Sequence, residues 1–165
     1  MQDRHKINTS WYAVSDYVAA ALAWAIAFFI RKHLSGFELN IDAELLHNTK
    51  LQVSIFFIPC GWLMLFMLLG SYHQSLYTKS HLLEFTVTFI STLVGCLVLF
   101  FFLFLDDKEA SSPYYYKAFL SLFLLHLVLI WIGRMILLNT AKKQLLKGRV
   151  WFNTIIIGNN PTAIS

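Results

Sequence analysis

Charge is scarce in this chain. Asp, Glu, Lys and Arg make up 13% of its 165 residues, about half the share usual in soluble domains. What charge there is falls almost entirely in the gaps between four long apolar blocks. With 58% apolar residues, a water-soluble chain of this size has no core large enough for all its Phe and Leu side chains, so lipid is the solvent the blocks require. A soluble helical bundle is excluded by the same distribution. Cysteine is sparse too. Cys60 and Cys96 both lie near the middle of an apolar block, which argues against a disulfide framework or a zinc site and leaves two small apolar side chains. The histidines lack partners: His126 lies alone at its depth in the fourth block, and His73 and His81 sit in a loop. A bis-histidine haem needs two imidazoles at matched depth on facing helices and does not fit. His126 reads as an interhelical hydrogen-bond donor or a filler.

What is present is length. A helix needs about 20 apolar residues to cross a hydrocarbon core of about 30 Å. The blocks 11–30, 51–69, 82–105 and 116–138 meet that requirement. They are too long and too continuous for barrel strands, which alternate. The predicted fold is therefore an all-α membrane domain over residues 1–140. Arg4 and Lys6 before the first block resemble a signal peptide, but the block is long and 33–36 makes a poor cleavage site, so it reads as an uncleaved span. Trp11, Tyr12, Tyr72, Tyr77 and the run Tyr114 to Tyr116 lie at block edges, where amphipathic rings suit the headgroup level. Pro59 removes the hydrogen bond to the Ile55 carbonyl and predicts a kink in the second span. Gly61 and Gly95 offer close helix approach.

An even number of spans puts both termini on one side. With the termini inside, that side holds Arg4, Lys6, Lys79, Arg134, Lys142, Lys143, Lys147 and Arg149, against Arg31, Lys32, Lys50, Lys108 and Lys117 outside. The bias places the termini and the loop 71–81 in the cytoplasm. Beside a span, the basic stretch 141–150 reads as a cytoplasmic linker facing anionic headgroups, not as a nucleic-acid site. Lys79, Lys142, Lys143, Lys147 and Arg149 are the candidate contacts for anionic headgroups or a polyprenyl phosphate, with the plain orientation signal as the simpler account. Membrane lipids are the partners expected from the residues, and a homo-oligomer stays open.

Composition changes after the linker. Residues 151–165 contain Ile155-Ile156-Ile157 followed at once by Gly158. That is how the first buried strand of a parallel α/β domain opens into its turn, with Pro161 near the start of a helix. A lone buried strand has no partner to pair with, so the expectation is the first strand of a truncated Rossmann-like domain and a longer parent chain. A dinucleotide fingerprint is not met, because Asn160 and Ala163 stand where its later glycines belong.

Several local segments together resemble one family. Ser15-Asp16 lies early in the first span, and Ile58-Pro59 with Trp62 lies in the second. Gly70-x-Tyr72, Tyr77-x-Lys79-Ser80 and Leu83-Glu84 follow in the short loop and the start of the third span. Asp106-Asp107 precedes the tyrosines of the second outer loop, and Phe152 to Gly158 comes after the linker. In this order they resemble the bacterial polyprenyl-phosphate glycosyl-1-phosphate transferases of exopolysaccharide synthesis, over nearly the whole chain. The departures are His81, where the family has arginine, and Gly158-Asn159-Asn160. The resemblance implies an inner-membrane protein whose C-terminal catalytic domain moves a sugar-1-phosphate from a UDP-sugar to undecaprenyl phosphate. It also implies a divalent metal such as Mg in that domain. None of the catalytic domain is in this sequence, so no catalytic, cofactor or metal residue is assigned, and the chain is expected to be the membrane anchor. The alternative is a free-standing four-span protein such as a small transporter, a flippase or a partner subunit. That would need polar residues along a path, whereas the middle of each span is Phe, Leu, Ile and Val.

Three ionisable residues fall at span ends of similar predicted depth: Asp16, Glu84 and Arg134. Either Arg134 pairs with Asp16 or Glu84 between helices, or the three snorkel, acids at helix N-termini and the base at a C-terminus. The sequence alone leans to snorkelling.

The orientation is tested directly. With Cys60 and Cys96 replaced, a cysteine placed beside Lys147 is expected to react with a membrane-impermeant maleimide only after the cells are opened. Labelling of intact spheroplasts from the periplasmic side would reverse the topology.

Overall fold

The computed structural model describes residues 7–34, 36, 47–104, 112–148 and 150. Four helices account for nearly all of them: α1 (Thr9–Leu34), α2 (Thr49–Leu68), α3 (His81–Phe104) and α4 (Ser112–Leu146). All four are long and apolar enough to cross a membrane, and no strand occurs among the described residues. The molecule is a multi-pass membrane protein. The strand expected within 151–165, like Arg149, lies outside the described residues.

The helices form a ring in chain order, α1 against α2 and α4, and α3 against α4 and α2. α1 and α4 run antiparallel, since Asp16 meets Arg134 near one end while Ala27 and Ala118 share a site near the other. The start of α1, the α2–α3 loop and the end of α4 gather at one end of the bundle, the polar end below: the Tyr77 hydroxyl accepts from the Ile7 backbone N–H and donates to Gln144.

Local sequence sets where helices start and stop. Asn48 caps α2, its side chain accepting from the Leu51 backbone N–H at 3.1 Å, which satisfies one of the orphan donors of the first turn. At the other end Gly70 takes φ +72. The Gly70 N–H reaches the Met67 carbonyl and the Ser71 N–H reaches back to Phe66. This is the paired closure that a left-handed residue permits after a helix, and glycine adopts it without a Cβ penalty. Pro59 sits buried within α2, which is one helix through it. α4 is longer than the span predicted from its apolar block. Its 35 residues rise about 52 Å at 1.5 Å each, well beyond a hydrocarbon core of about 30 Å. The stretch 141–146, read from sequence as linker, is helical, because Ala141 and Leu145 pack with Tyr12, Leu76 and Tyr77 in a small apolar cluster at the polar end.

The bundle interior is narrow. Small residues Ala20, Ala23 and Ala27 of α1 are buried, and they let neighbouring helices approach where lipid offers no hydrophobic drive. Trp24, Trp62, Phe66, Leu122 and Ile130 fill the rest. Trp24 ties α1 to α2 by donating to Ser54 at 2.8 Å, and Ser54 donates on to the Leu51 carbonyl. Most large apolar side chains point outward, among them Phe57, Met64, Leu82 and Phe102. Such a surface is stable only against lipid. Of the two glycines expected to admit close packing, Gly95 does so: a Cβ there would overlap the Trp62 indole. Gly61 faces open space.

Gly95→Leu is therefore expected to destabilise the bundle by about 1–3 kcal/mol through overpacking, while Gly61→Ala leaves it unchanged or slightly firmer. Thermal unfolding in detergent separates the two. Equal midpoints would remove the Trp62–Gly95 packing account.

Candidate functional site

The polar end of the bundle holds a buried charge network. Tyr12 and Asp16 stand one turn apart on α1, Glu84 and Thr88 one turn apart on α3, and Arg134 lies on α4. Spacing of i and i+4 puts each pair on one helix face, and both faces turn inward. Arg134, Asp16 and Thr88 have no exposed surface.

The guanidinium is the hub. Its Nε and Nη2 fork onto the Asp16 carboxylate at 3.0 and 2.7 Å. Its Nη1 donates to Glu84 at 2.7 Å and to the Thr88 hydroxyl at 3.0 Å. The Thr88 hydroxyl in turn donates to the Glu84 backbone carbonyl. The flat faces of the cation are used as well: its central carbon lies 4.0 Å from the Phe66 ring centre and 5.0 Å from that of Tyr12. Arginine suits this position because it offers a planar fork and a stacking face at once. Phe66 comes from α2, so all four helices touch one side chain.

The α2–α3 loop completes the network. Tyr72 donates to Asp16 at 2.9 Å, and the Tyr12 hydroxyl donates to Glu84. The Lys79 ammonium donates to Glu84 and, at 2.6 Å, to the Ser71 carbonyl, over the face of Tyr12. Burial pushes Lys79 below its ordinary range, against the pull of the Glu84 carboxylate. Burial, with the Asp16 carboxylate beside it, raises the Tyr72 phenol and keeps it a donor. Two carboxylates face two cations, so the cluster is neutral as a whole. That balance is the condition for holding charge in a low-dielectric interior.

The structure thus brings Asp16, Glu84 and Arg134 together in direct ion pairs, at 2.7 Å for each acid. It does not bring the predicted headgroup contacts together. Lys79 is turned inward, because its ammonium finds Glu84 and a loop carbonyl there. Lys142 is half-buried, Lys143 and Lys147 are exposed, and Arg149 is outside the described residues. Sequence reasoning missed Tyr12, Tyr72, Lys79 and Thr88 as members of the network and placed the tyrosines in an interfacial belt. The available signal was the i, i+4 spacing of Tyr12 with Asp16 and of Glu84 with Thr88. Trp11 and Tyr116 do face outward. His126 is buried, and its Nδ1 donates to the Leu122 carbonyl of its own helix at 2.9 Å, with the ring against Trp62. Among the described residues no group of three His, Cys, Asp or Glu could hold a metal. Chemically the network is a lock: each charged group is held by another, and what it accomplishes is to fix four helices and a loop in one register.

Removing Arg134 strands the buried Asp16 carboxylate, which keeps only the Tyr72 hydroxyl, while Glu84 retains Lys79 and Tyr12. Arg134→Leu is expected to cost about 3–5 kcal/mol. Arg134→Lys recovers little, since an ammonium cannot fork onto Asp16. The double variant Arg134→Leu with Asp16→Asn regains part of the loss, because Glu84 keeps Lys79. Unfolding in detergent measures all three, and a single variant as stable as the parent would refute the lock. Compared with models of protein families, with curated proteins and with solved structures, the chain matches none.

Proposed function

We propose that this chain is the N-terminal membrane anchor of a bacterial exopolysaccharide polyprenyl-phosphate glycosyl-1-phosphate transferase. In this reading it lies in the inner membrane with both termini in the cytoplasm. It holds a following catalytic domain at the face where UDP-sugars meet undecaprenyl phosphate. The observation that carries the reading is a convergence. Three of the segments that resemble the family follow one another within residues 70–84 and a fourth lies in α1, and Asp16, Tyr72, Lys79 and Glu84, one from each, meet around Arg134. A shared lock would give such segments a common physical purpose: a rigid frame at the end of the bundle from which α4 leads onward.

The chain's part in the reaction is then placement. α4 projects beyond the hydrocarbon at the end that carries the lock, and a rigid frame there keeps a reacting domain at fixed height above the headgroups. The divalent metal implied for the catalytic domain finds no ligand set among the described residues here, and no step is assigned to it.

The test uses membranes from cells that express the gene's complete reading frame, supplied with a panel of radiolabelled UDP-sugars and undecaprenyl phosphate. The complete frame is expected to yield a lipid-linked sugar phosphate and residues 1–165 none. A reading frame that stops after Ser165, or a longer one without a lipid-linked product, overturns the reading.

A further inference from the structure

Between α1 and α4 an open valley of about 380 Å3 faces away from the bundle interior. Its floor is made of small residues. Ser15 and Ala19 lie on one helix and Gly133 on the other, and a Cβ at Gly133 would meet the Ser15 hydroxyl at 2.6 Å. Glycine therefore brings the two backbones close and leaves a recess above the contact line. Larger apolar side chains, Val18 and Ile132 among them, rise as the walls.

The depth of the valley is informative. Along α1 it runs from Trp11 to Leu22, about 16 Å at 1.5 Å per residue, which matches one leaflet of hydrocarbon at about 15 Å. Farther along α1, Ala23 and Ala27 are buried inside the bundle and do not line it. A single acyl chain needs the length of one leaflet. A short seam of small residues can also seat a crossing helix of a second copy, so the occupant is decided by what lies beyond the valley mouth.

Beyond the valley mouth the same face of α4 becomes polar and basic. At 100° per residue, Thr140, Lys143 and Lys147 continue the row of Leu129, Gly133 and Leu137, whereas Lys142 points the opposite way. Thr140, Lys143 and Lys147 are exposed, and the Lys147 N–H still bonds the Lys143 carbonyl, so the helical register holds to that point. An apolar trough one leaflet deep thus ends beneath two solvent-facing ammonium groups.

We propose that this valley binds one anionic phospholipid of the leaflet at the polar end, with an acyl chain in the trough and its phosphate against Lys143 and Lys147. The site does not depend on the function proposed above. Apolar contact supplies the seat, and the two cations select charge, at about 1 kcal/mol each near a lipid surface.

Native mass spectrometry of the purified chain in detergent tests it, titrating phosphatidylglycerol and phosphatidylcholine with identical acyl chains. One phosphatidylglycerol is expected to bind ahead of any phosphatidylcholine. Lys143→Gln with Lys147→Gln is expected to weaken phosphatidylglycerol about thirtyfold, while Lys142→Gln on the far face changes nothing. Val18→Phe, which fills the trough from an exposed position, is expected to weaken both lipids. Unfolding midpoints equal to the parent's confirm that each variant is folded. Equal binding of the two lipids, a double lysine variant that keeps its preference, or a cysteine at Val18 that cross-links two copies in place of lipid would each overturn the site.

Discussion

One buried guanidinium organises this molecule. Arg134 sits in a place where an unpaired charge would cost many kcal/mol, and everything around it answers that cost. Asp16 and Glu84 neutralise it, Thr88 takes a remaining N–H, and Phe66 and Tyr12 cover its faces. Because these partners come from different helices, satisfying the charge and assembling the bundle are the same event. Van der Waals packing between apolar helices has no strong register in lipid. Directional pairs from one hub supply the register that packing alone lacks.

The network also explains an uneven distribution of order. The interior toward the other end is held by shape: alanines of α1, the Trp62 ring over Gly95, and the Trp24–Ser54 bond. The polar end is held by charge and continues beyond the spans through Tyr77, which joins the residues before α1 to the last turns of α4. The α2–α3 loop is thereby part of the frame, with Lys79 and Tyr72 as its attachments. The outward surface, by contrast, is an apolar coat, with a recess between α1 and α4 where Gly133 brings the two helices close.

The spans were legible because bilayer length is a one-dimensional property: apolar runs of sufficient length name their own solvent, and the helices begin and end within a few residues of the runs except at α4. There the helix continues through the stretch read as linker, since Ala141 and Leu145 gain partners from Leu76 and Tyr77 in the α2–α3 loop, far earlier in the chain. Asp16, Glu84 and Arg134 were recognisable as residues needing an explanation, and their common depth followed from counting along each helix. Whether they met or snorkelled was not readable, because that turns on rotation of each helix about its axis. Lys79 was read outward for a similar reason: a lysine in a loop has no period to reveal its direction. Tyr12 and Tyr72 satisfied the rule for interfacial aromatics and still turned inward, where a phenol can donate to a carboxylate.

The sequence by itself determined the solvent, the four runs long enough to cross and the positions of Asp16, Glu84 and Arg134 along them, because hydropathy and helical rise depend only on neighbours along the chain. Only the tertiary structure decided which faces look at one another. It made two carboxylates, a lysine and two tyrosines the shell of one arginine, and it left Ser15 and Gly133 at the base of an open trough. Those outcomes depend on the azimuth of four cylinders. Azimuth is set by pairing energies between residues as far apart as Asp16 and Arg134, which no local pattern encodes.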